Sequence, residues 1–435
     1  MGIIRILNKL KNEITLLILA FIFTNIAFCV RIYLITSIRV ESYIRIISLI
    51  CGFLLFIYSI YSLLLKLIQF VLNNVDYKID KKALLNTIYR KKVLEKGPHI
   101  VAIGGGTGLS TMLRGLKNIT SNITAVVTVA DDGGGSGIIR EDLGLLPPGD
   151  IRNCILALAN TEEIMQKLLN YRFKDGRLKG QNFGNLFLAA MTGVAGSFEK
   201  AVKLMSDVLA VRGKVLPVTL DNVKLCAKLD DNSIIIGESK IPEEAKNKAC
   251  RIQKVFLLPE NAKVFNEVIE EINKADVIII GPGSLYTSIL PNLLFNEVVD
   301  SIKKSKAKKI YIANIMTQPG ETDNYSLSDH IKAIEGHCGK IFDIIIANNG
   351  EIPFDLKEKY ENDGAIPVII DDDLQNEYIV ISENIVSTKN GLIRHSPNKL
   401  SSTISKVIFG EDIIAKKRLY SINNYLIKKL PKKIK

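Results

Sequence analysis

Two glycine-rich turns lie one βα unit apart in this chain: Gly104-Gly105-Gly106-Thr107-Gly108 and Asp131-Asp132-Gly133-Gly134-Gly135-Ser136-Gly137. Each directly follows an apolar, β-branched run, His99 to Ile103 before the first and Ile123 to Ala130 before the second. Glycine lacks a Cβ, so such a turn can take positive φ and bring bare backbone N–H groups close to an anion. A helix beginning just after the turn adds the positive end of its dipole. Two such turns at the carboxyl ends of neighbouring parallel strands make one crevice, where open α/β sheets hold ligands. The pattern implies a phosphorylated ligand, a nucleotide or a nucleotide sugar.

The chain beyond Gly97-Pro98 keeps to that plan. Apolar β-like runs fall at 99–103, 123–130, 214–219, 251–258, 277–280, 309–315, 342–347 and 366–370. Helical stretches near 108–118, 150–160, 185–194, 197–211, 261–274, 326–336 and 398–409 separate many of them. The alternation predicts an α/β fold with a doubly wound, mostly parallel, Rossmann-like sheet. Residues 223–241 read instead as a hairpin at an edge or added on.

Ahead of this domain, residues 14–30 and 46–65 are apolar over the length a membrane helix needs and contain no acid or base. A signal peptide explains the first alone, with Arg5, Lys9 and Lys11 as its basic region, but not the second span. The expectation is a hairpin of two transmembrane helices within 1–72, a lysine-rich helical linker at 73–97, the α/β domain at 98–412 and a basic tail at 413–435. Lysines and arginines from Lys66 to Lys92 favour a cell-membrane location with the domain and both termini cytoplasmic, although Arg31, Arg39 and Arg45 in the short loop weaken the bias.

The net charge of +12 is unevenly spread. Residues 1–96 carry about +9 and Lys416 to Lys435 about +8, leaving the α/β domain mildly acidic. This excludes a basic nucleic-acid-binding domain and suits attraction of the flanks to anionic lipid. The six cysteines include no CxxC pair and the four histidines are scattered, so a reduced, cytosolic domain without a Cys/His metal cluster is expected.

The residues that can carry chemistry sit at the ends of the predicted strands. GGGTG has the G-x-G of a dinucleotide site, but Leu109 stands where a third glycine would fall, and no GK[ST] follows for a P-loop. Asp131 and Asp132 suit turns and caps; beside phosphate oxygens they also suit Mg²⁺, one as ligand and one as cap. After Pro147-Pro148-Gly149, Asp150 reads as an N-cap, and Arg152 stands in the first turn, where the dipole disfavours a cation. Aim at a phosphate would explain that placement. Asn182 and Asn185 bracket Phe183-Gly184, as caps or as amides for a sugar or base edge. A third turn, Gly281-Pro282-Gly283-Ser284, follows the strand 277–280, with Ser284 placed to cap the next helix.

Together GGGTGLS, VADDGGGSGIIRED, LPPGDIRNC, NFGN, GPGSLYTS and NIMTQPGET followed by SDH resemble the CofD-like superfamily, and within it the YvcK-type bacterial branch. The resemblance spans residues 98–412. It implies one of two activities. CofD enzymes transfer a phosphate-linked lactyl group to a deazaflavin from a nucleotide-activated donor, with Mg²⁺. YvcK-type proteins bind UDP-sugars such as UDP-N-acetylglucosamine and are linked to cell shape, cell-wall synthesis and gluconeogenic growth. Carried over, Gly104, Gly105, Gly106, Thr107 and Gly108, with Gly134, Gly135 and Ser136, line the phosphate end. Asp131 and Asp132 hold metal or substrate, as the candidate catalytic pair, and Asn182, Asn185 and Arg152 share the pocket. Tyr360 and Arg394 take the positions of UDP-sugar contacts. Asp323-Asn324-Tyr325 departs from the expected Asp-Gly-aromatic pattern. The expected partners are a UDP-sugar, the membrane, cell-wall synthesis proteins and a second copy of the chain. The motifs offer Gly, Asn, Thr, Ser and Asp but no histidine, which favours binding over catalysis.

Overall fold

The computed structural model describes residues 92–160, 163–371, 374 and 376–410, together with 47, 50 and 52–65. The chain divides into two compact units, Met1–Tyr89 and Arg90–Lys435.

Within the second unit, β1 (Ile100–Gly104), β2 (Ile123–Val127), β3 (Lys214–Pro217), β7 (Val277–Ile280), β8 (Lys308–Ile312), β9 (Ile344–Asn348) and β10 (Ile379–Glu383) form one sheet. Its order is β3-β2-β1-β7-β8-β9-β10, and every described pairing in it is parallel. The central strands IVAIG, ITAVV and VIII are buried throughout, as parallel strands covered on both faces must be. The order reverses at β1 and β7: the chain moves outward through β2 and β3, then returns to the other side of β1. The expected Rossmann-like sheet is present, with this reversal fixing the place for a ligand.

Three helices start where the site lies: α1 (Gly106–Leu116) after β1, α2 (Gly134–Leu143) after β2, and α3 (Gly149–Leu158) soon after. Eight of the ten residues of α3 are buried, so it is a core element whose polar side chains, Asp150, Arg152 and Asn153, fall in its first half. Further on come α4 (Phe183–Ala195), α5 (Leu327–Cys338), α6 (Phe354–Asn362) and α7 (Pro397–Phe409). Helix α1 packs so tightly on α7 that a Cβ at Gly115 would lie 2.2 Å from the Pro397 carbonyl oxygen.

Several boundaries differ from expectation. The hairpin is present as β4 (Lys224–Leu229) and β5 (Ile234–Ile236), but β6 (Ile252–Leu258) joins it in a small antiparallel sheet, β5-β4-β6, and not the main sheet. Residues 366–370 form no strand, and the sheet edge is β10. Pro367 has no N–H, and its neighbours bond the 315–317 loop instead: Thr317 N–H to the Ile366 carbonyl at 2.7 Å and Val368 N–H to Ile315 at 3.0 Å.

The expected membrane hairpin is not supported. Among the described residues no helix is long and apolar enough to cross a membrane. Residues 14–30 lie outside the described residues, and the second span is described as continuous helix over 52–65 alone. Large apolar side chains on that segment, including Phe53, Leu54, Tyr58, Tyr61 and Leu64, are exposed.

Candidate functional site

The carboxyl ends of β1 and β7 open a cleft of about 250 Å³. Its floor is the first glycine turn. Helix α1 starts inside that turn, with Gly105 at the N-cap; the Asp150 carboxylate takes the Gly106 N–H, and the backbone N–H groups that follow are left for an anion. Gly106 needs its left-handed φ of +64°. A Cβ on Gly108 would lie 2.5 Å from the Pro282 carbonyl oxygen, so glycine there lets the first and third turns touch. Gly105 to Gly108 and Pro282 to Ser284 line the cleft together. Gly104 stands behind them, its carbonyl accepting from Asn292 Nδ2 at 3.1 Å, and Gly281 (φ +81°) turns the chain between strand and cleft.

Ser284 does not cap the following turn of helix, as its position led us to expect. Its Oγ accepts from Gln318 Nε2 at 2.7 Å. The buried Glu321 takes over the capping: Tyr286 N–H donates to it at 3.3 Å and Thr287 Oγ1 at 3.1 Å. Burial pushes the Glu321 carboxyl up to about 7.

Tyr360 and Arg394 arrive from far along the chain. Arg394 Nη1 donates to Thr107 Oγ1 at 2.7 Å, across 287 positions, and Tyr360 Oη accepts from Ile393 N–H at 3.1 Å. Both line the cleft, so the structure brings them to the glycine turn. His395 also lines it; burial lowers its pKa to about 4, and its Nε2 sits 3.1 Å from the Ala313 carbonyl. It is neutral at pH 7.

The second turn builds a polar cluster beside this cleft. Gly134 opens α2 at φ +51°. Asp131 accepts from Gly133 N–H at 2.9 Å, and Asp132 from Ser239 N–H at 2.9 Å in the short helix Glu238–Lys240, so neither caps α2, the helix that follows them. Arg140 holds the turn, with Nη1 on the Asp131 carbonyl at 3.3 Å and Nη2 on Asn222 Oδ1 at 2.5 Å. Asn185 links the rest: its Oδ1 accepts from Arg152 Nη1 at 2.8 Å, and its Nδ2 donates to Ser136 Oγ at 3.4 Å. Asn182 caps α4, accepting from Asn185 N–H at 3.2 Å, which is the structural role its position allowed. A Cβ on Gly135 would come 3.1 Å from Gln181 Oε1. Arg152 is buried with its Nε unpaired, and burial lowers its pKa to about 10.

Asp150 is the residue the sequence placed wrongly. Pro148, not Asp150, holds the N-cap position of α3. The Asp150 carboxylate instead crosses to α1, where Gly106 N–H donates to Oδ2 at 2.6 Å. It therefore ties the first glycine turn to the start of α3. Burial, with a lesser push from Asp131, raises its pKa to about 6. Glu238, also unforeseen, is raised to about 8 by burial and then by the charges of Asp131, Glu321, Asp132 and Asp150. The cue for Asp150 was its glycine-proline neighbourhood, where the chain turns sharply; a cap explained it locally, and only tertiary contact shows otherwise.

The two halves have opposite electrostatic preferences. Free N–H groups and Arg394 attract an anion. The crowded carboxyls of Asp131, Asp132, Asp150 and Glu238 attract a cation, and burial raises the pKa of Asp131, Asp150 and Glu238. Among the described residues no group of three His, Cys, Asp or Glu is arranged to hold a metal ion unaided. The cysteine nearest the cluster, Cys154, is fully buried with its thiol pKa pushed up, unlike a nucleophile.

Comparison with known proteins adds the following. The family model described as 2-phospho-L-lactate transferase CofD matches residues 100–386. A relative from Clostridium acetobutylicum is 56% identical over 349 residues, covering 80% of this chain and 76% of its own. The gluconeogenesis factor of Bacillus subtilis is 50% identical over 311 residues, covering 71% of this chain and 97% of its own. A crystal structure of a Bacillus halodurans protein superimposes with a TM-score of 0.68 at 46% identity, over 71% of this chain and 99% of that one.

Proposed function

The chain belongs to the 2-phospho-L-lactate transferase CofD family, and from that premise we propose that it is a regulatory protein that binds a nucleotide sugar, UDP-N-acetylglucosamine above all. The observation that carries this is the meeting of Arg394 and Tyr360 with the Thr107 turn at the point where the strand order reverses. A diphosphate fits the N–H groups of that turn, and a guanidinium beside it recognises the same charge. The histidine that lines the cleft is a weak base, its pKa lowered to about 4 and its Nε2 bonded to the Ala313 carbonyl, which favours binding over catalysis. As regulation, binding must favour one conformation of the domain over another, because equal affinity for both shifts nothing. The name of the Bacillus subtilis relative supports a tie to gluconeogenic growth, and control of cell shape through cell-wall synthesis proteins belongs to the same proposal.

Asp131 and Asp132 fit Mg²⁺ that arrives with the ligand's phosphates, since Mg²⁺ takes few carboxylates plus phosphate oxygens and water. Bound there it would neutralise phosphate charge. The same carboxyls favour a second reading, a CofD-like transfer from a nucleotide-activated donor, in which glycine-turn N–H groups stabilise developing charge. Calorimetric titration of the full chain with UDP-N-acetylglucosamine and with GDP, each with and without Mg²⁺, separates the two. Tight UDP-sugar binding without turnover supports regulation; preference for the guanine nucleotide, strengthened by Mg²⁺, overturns it.

Membrane attachment, with the domain on the cytoplasmic side, rests on the apolar amino-terminal sequence and the exposed apolar side chains of 52–65. Cell fractionation with and without residues 1–72 tests it: the shortened protein is expected in the soluble fraction, and an unchanged distribution would remove the proposal.

A further inference from the structure

The loop Asn314-Ile315-Met316-Thr317-Gln318-Pro319-Gly320-Glu321-Thr322 follows β8, and its residues Asn314 to Gln318 line the cleft together with the glycine turn. Its backbone is tied down at almost every step. Gln318 N–H donates to Thr322 Oγ1 at 2.8 Å, and the Gln318 carbonyl accepts from Glu321 N–H at 3.0 Å and Thr322 N–H at 2.8 Å. Thr317 is bonded in both directions to Ile366, N–H to carbonyl at 2.7 Å and N–H to Oγ1 at 2.9 Å. Gly320 N–H donates to Asp323 at 2.8 Å, and Glu321 anchors the loop to the 285–289 turn.

Two side chains stand apart from this satisfied frame. Gln318 has its Nε2 fixed on Ser284, while its Oε1 is buried and has no partner. Asn314 lines the same cleft, and among the described residues no hydrogen bond holds its amide. A buried amide oxygen without a partner is costly unless something meets it. Here the rigid loop prevents it from turning away, and Ser284 holds it beside the third glycine turn. An acceptor repels phosphate oxygens, so its complement is an N–H or O–H group, which in a nucleotide sugar belongs to the uncharged parts adjoining the phosphates.

Resting on the nucleotide-sugar reading above, we infer that Gln318 and Asn314 form a neutral hydrogen-bonding subsite that reads the uncharged part of the ligand. The glycine turns and Arg394 supply affinity for the diphosphate, which every nucleotide shares. Gln318 and Asn314 supply the choice among nucleotides, because a site built to meet a donor rejects an analogue lacking it. A hydroxyl of the sugar and the N–H of a uracil ring both present that donor. Cytosine presents a bare ring nitrogen at the same position.

Titration of the full chain and of Gln318→Ala, Asn314→Ala and Ser284→Ala with UDP-N-acetylglucosamine, UDP and CDP tests this. The ratio of UDP to CDP affinity reads the base, and the ratio of UDP-N-acetylglucosamine to UDP affinity reads the sugar. In Gln318→Ala or Asn314→Ala one of these ratios is expected to fall by roughly tenfold or more, with the affinity for CDP nearly constant. Which ratio falls identifies the group read. Ser284→Ala removes the hydroxyl that holds the Gln318 amide and is expected to lower the same ratio as Gln318→Ala, by a smaller factor. A merely structural role for the loop would weaken all three ligands equally, and unchanged ratios in both amide variants would overturn the inference. Absence of binding of any of the three to the unmodified chain would remove the nucleotide-sugar reading itself.

Discussion

Arg394 shows how one side chain can belong to a site that its neighbours in sequence do not announce. It is exposed, yet its guanidinium reaches Thr107 Oγ1 at 2.7 Å and so borders the N–H groups of the glycine turn. Removal in Arg394→Ala is expected to weaken UDP-N-acetylglucosamine binding about tenfold or more, the scale of a lost charge-assisted hydrogen bond. Circular dichroism should show an intact fold, and unchanged affinity in calorimetry would take Arg394 out of the site. Asp150 makes the complementary point. Its sequence setting explains a cap, but its carboxylate meets Gly106 N–H, 44 positions away. Tyr360 and Arg394 could be foreseen only by resemblance, since short flanking patterns contain no physical reason for them to meet the turn. Gly105 to Gly108 were legible because glycine at that density has few other uses.

At the scale of elements, the site is a contact between turns. Gly108 and Pro282 touch, so α1 and the segment after β7 are locked at a distance that excludes a Cβ. Gly108→Ala should cost about 1–3 kcal/mol through overpacking and spread the two turns, with a clear loss of nucleotide affinity. Gly134→Ala differs in kind: nothing lies within 4 Å of its Cβ position, and only its φ of +51° resists a side chain. About 1–2 kcal/mol of backbone strain is expected there. Urea denaturation of both variants, set beside their UDP-sugar affinity, checks the contrast; equal losses of affinity would mean the Gly108 contact has no special role. The alternation of runs and helices located most strands of the main sheet within a few residues. It placed β6 in the wrong sheet and took 366–370 for a strand, because apolar β-branched composition records burial but not which neighbour supplies the hydrogen bonds.

For the molecule as a whole, the buried acids set the pH response. Folded-state pKa values of Glu238 and Glu321 are raised to about 8 and about 7. An acid whose pKa is higher folded than unfolded binds more protons when folded, so its contribution is present at low pH and is lost as pH rises through the folded value. Between pH 6.5 and 8 these carboxyls dominate, and the full chain should melt at a higher temperature at pH 6.5 than at pH 8. Below pH 6.5 the effect is offset in part, because burial lowers the pKa of His330, His337 and His395, and each then takes up its proton more readily unfolded. Glu238→Gln should shrink the difference between pH 6.5 and 8, and a melting temperature independent of pH in that window would contradict the assignment. The sequence by itself determined the α/β class, the parallel sheet and the three glycine turns, since these follow from local rules: burial on both faces, positive φ and the end of a strand. Tertiary structure alone decided that Arg394 and Asp150 converge on the first glycine turn while Gln318 meets the third, and that the strand order reverses at β1 and β7. Contacts between residues tens to hundreds of positions apart depend on how helices pack across the sheet, and no local pattern encodes that packing.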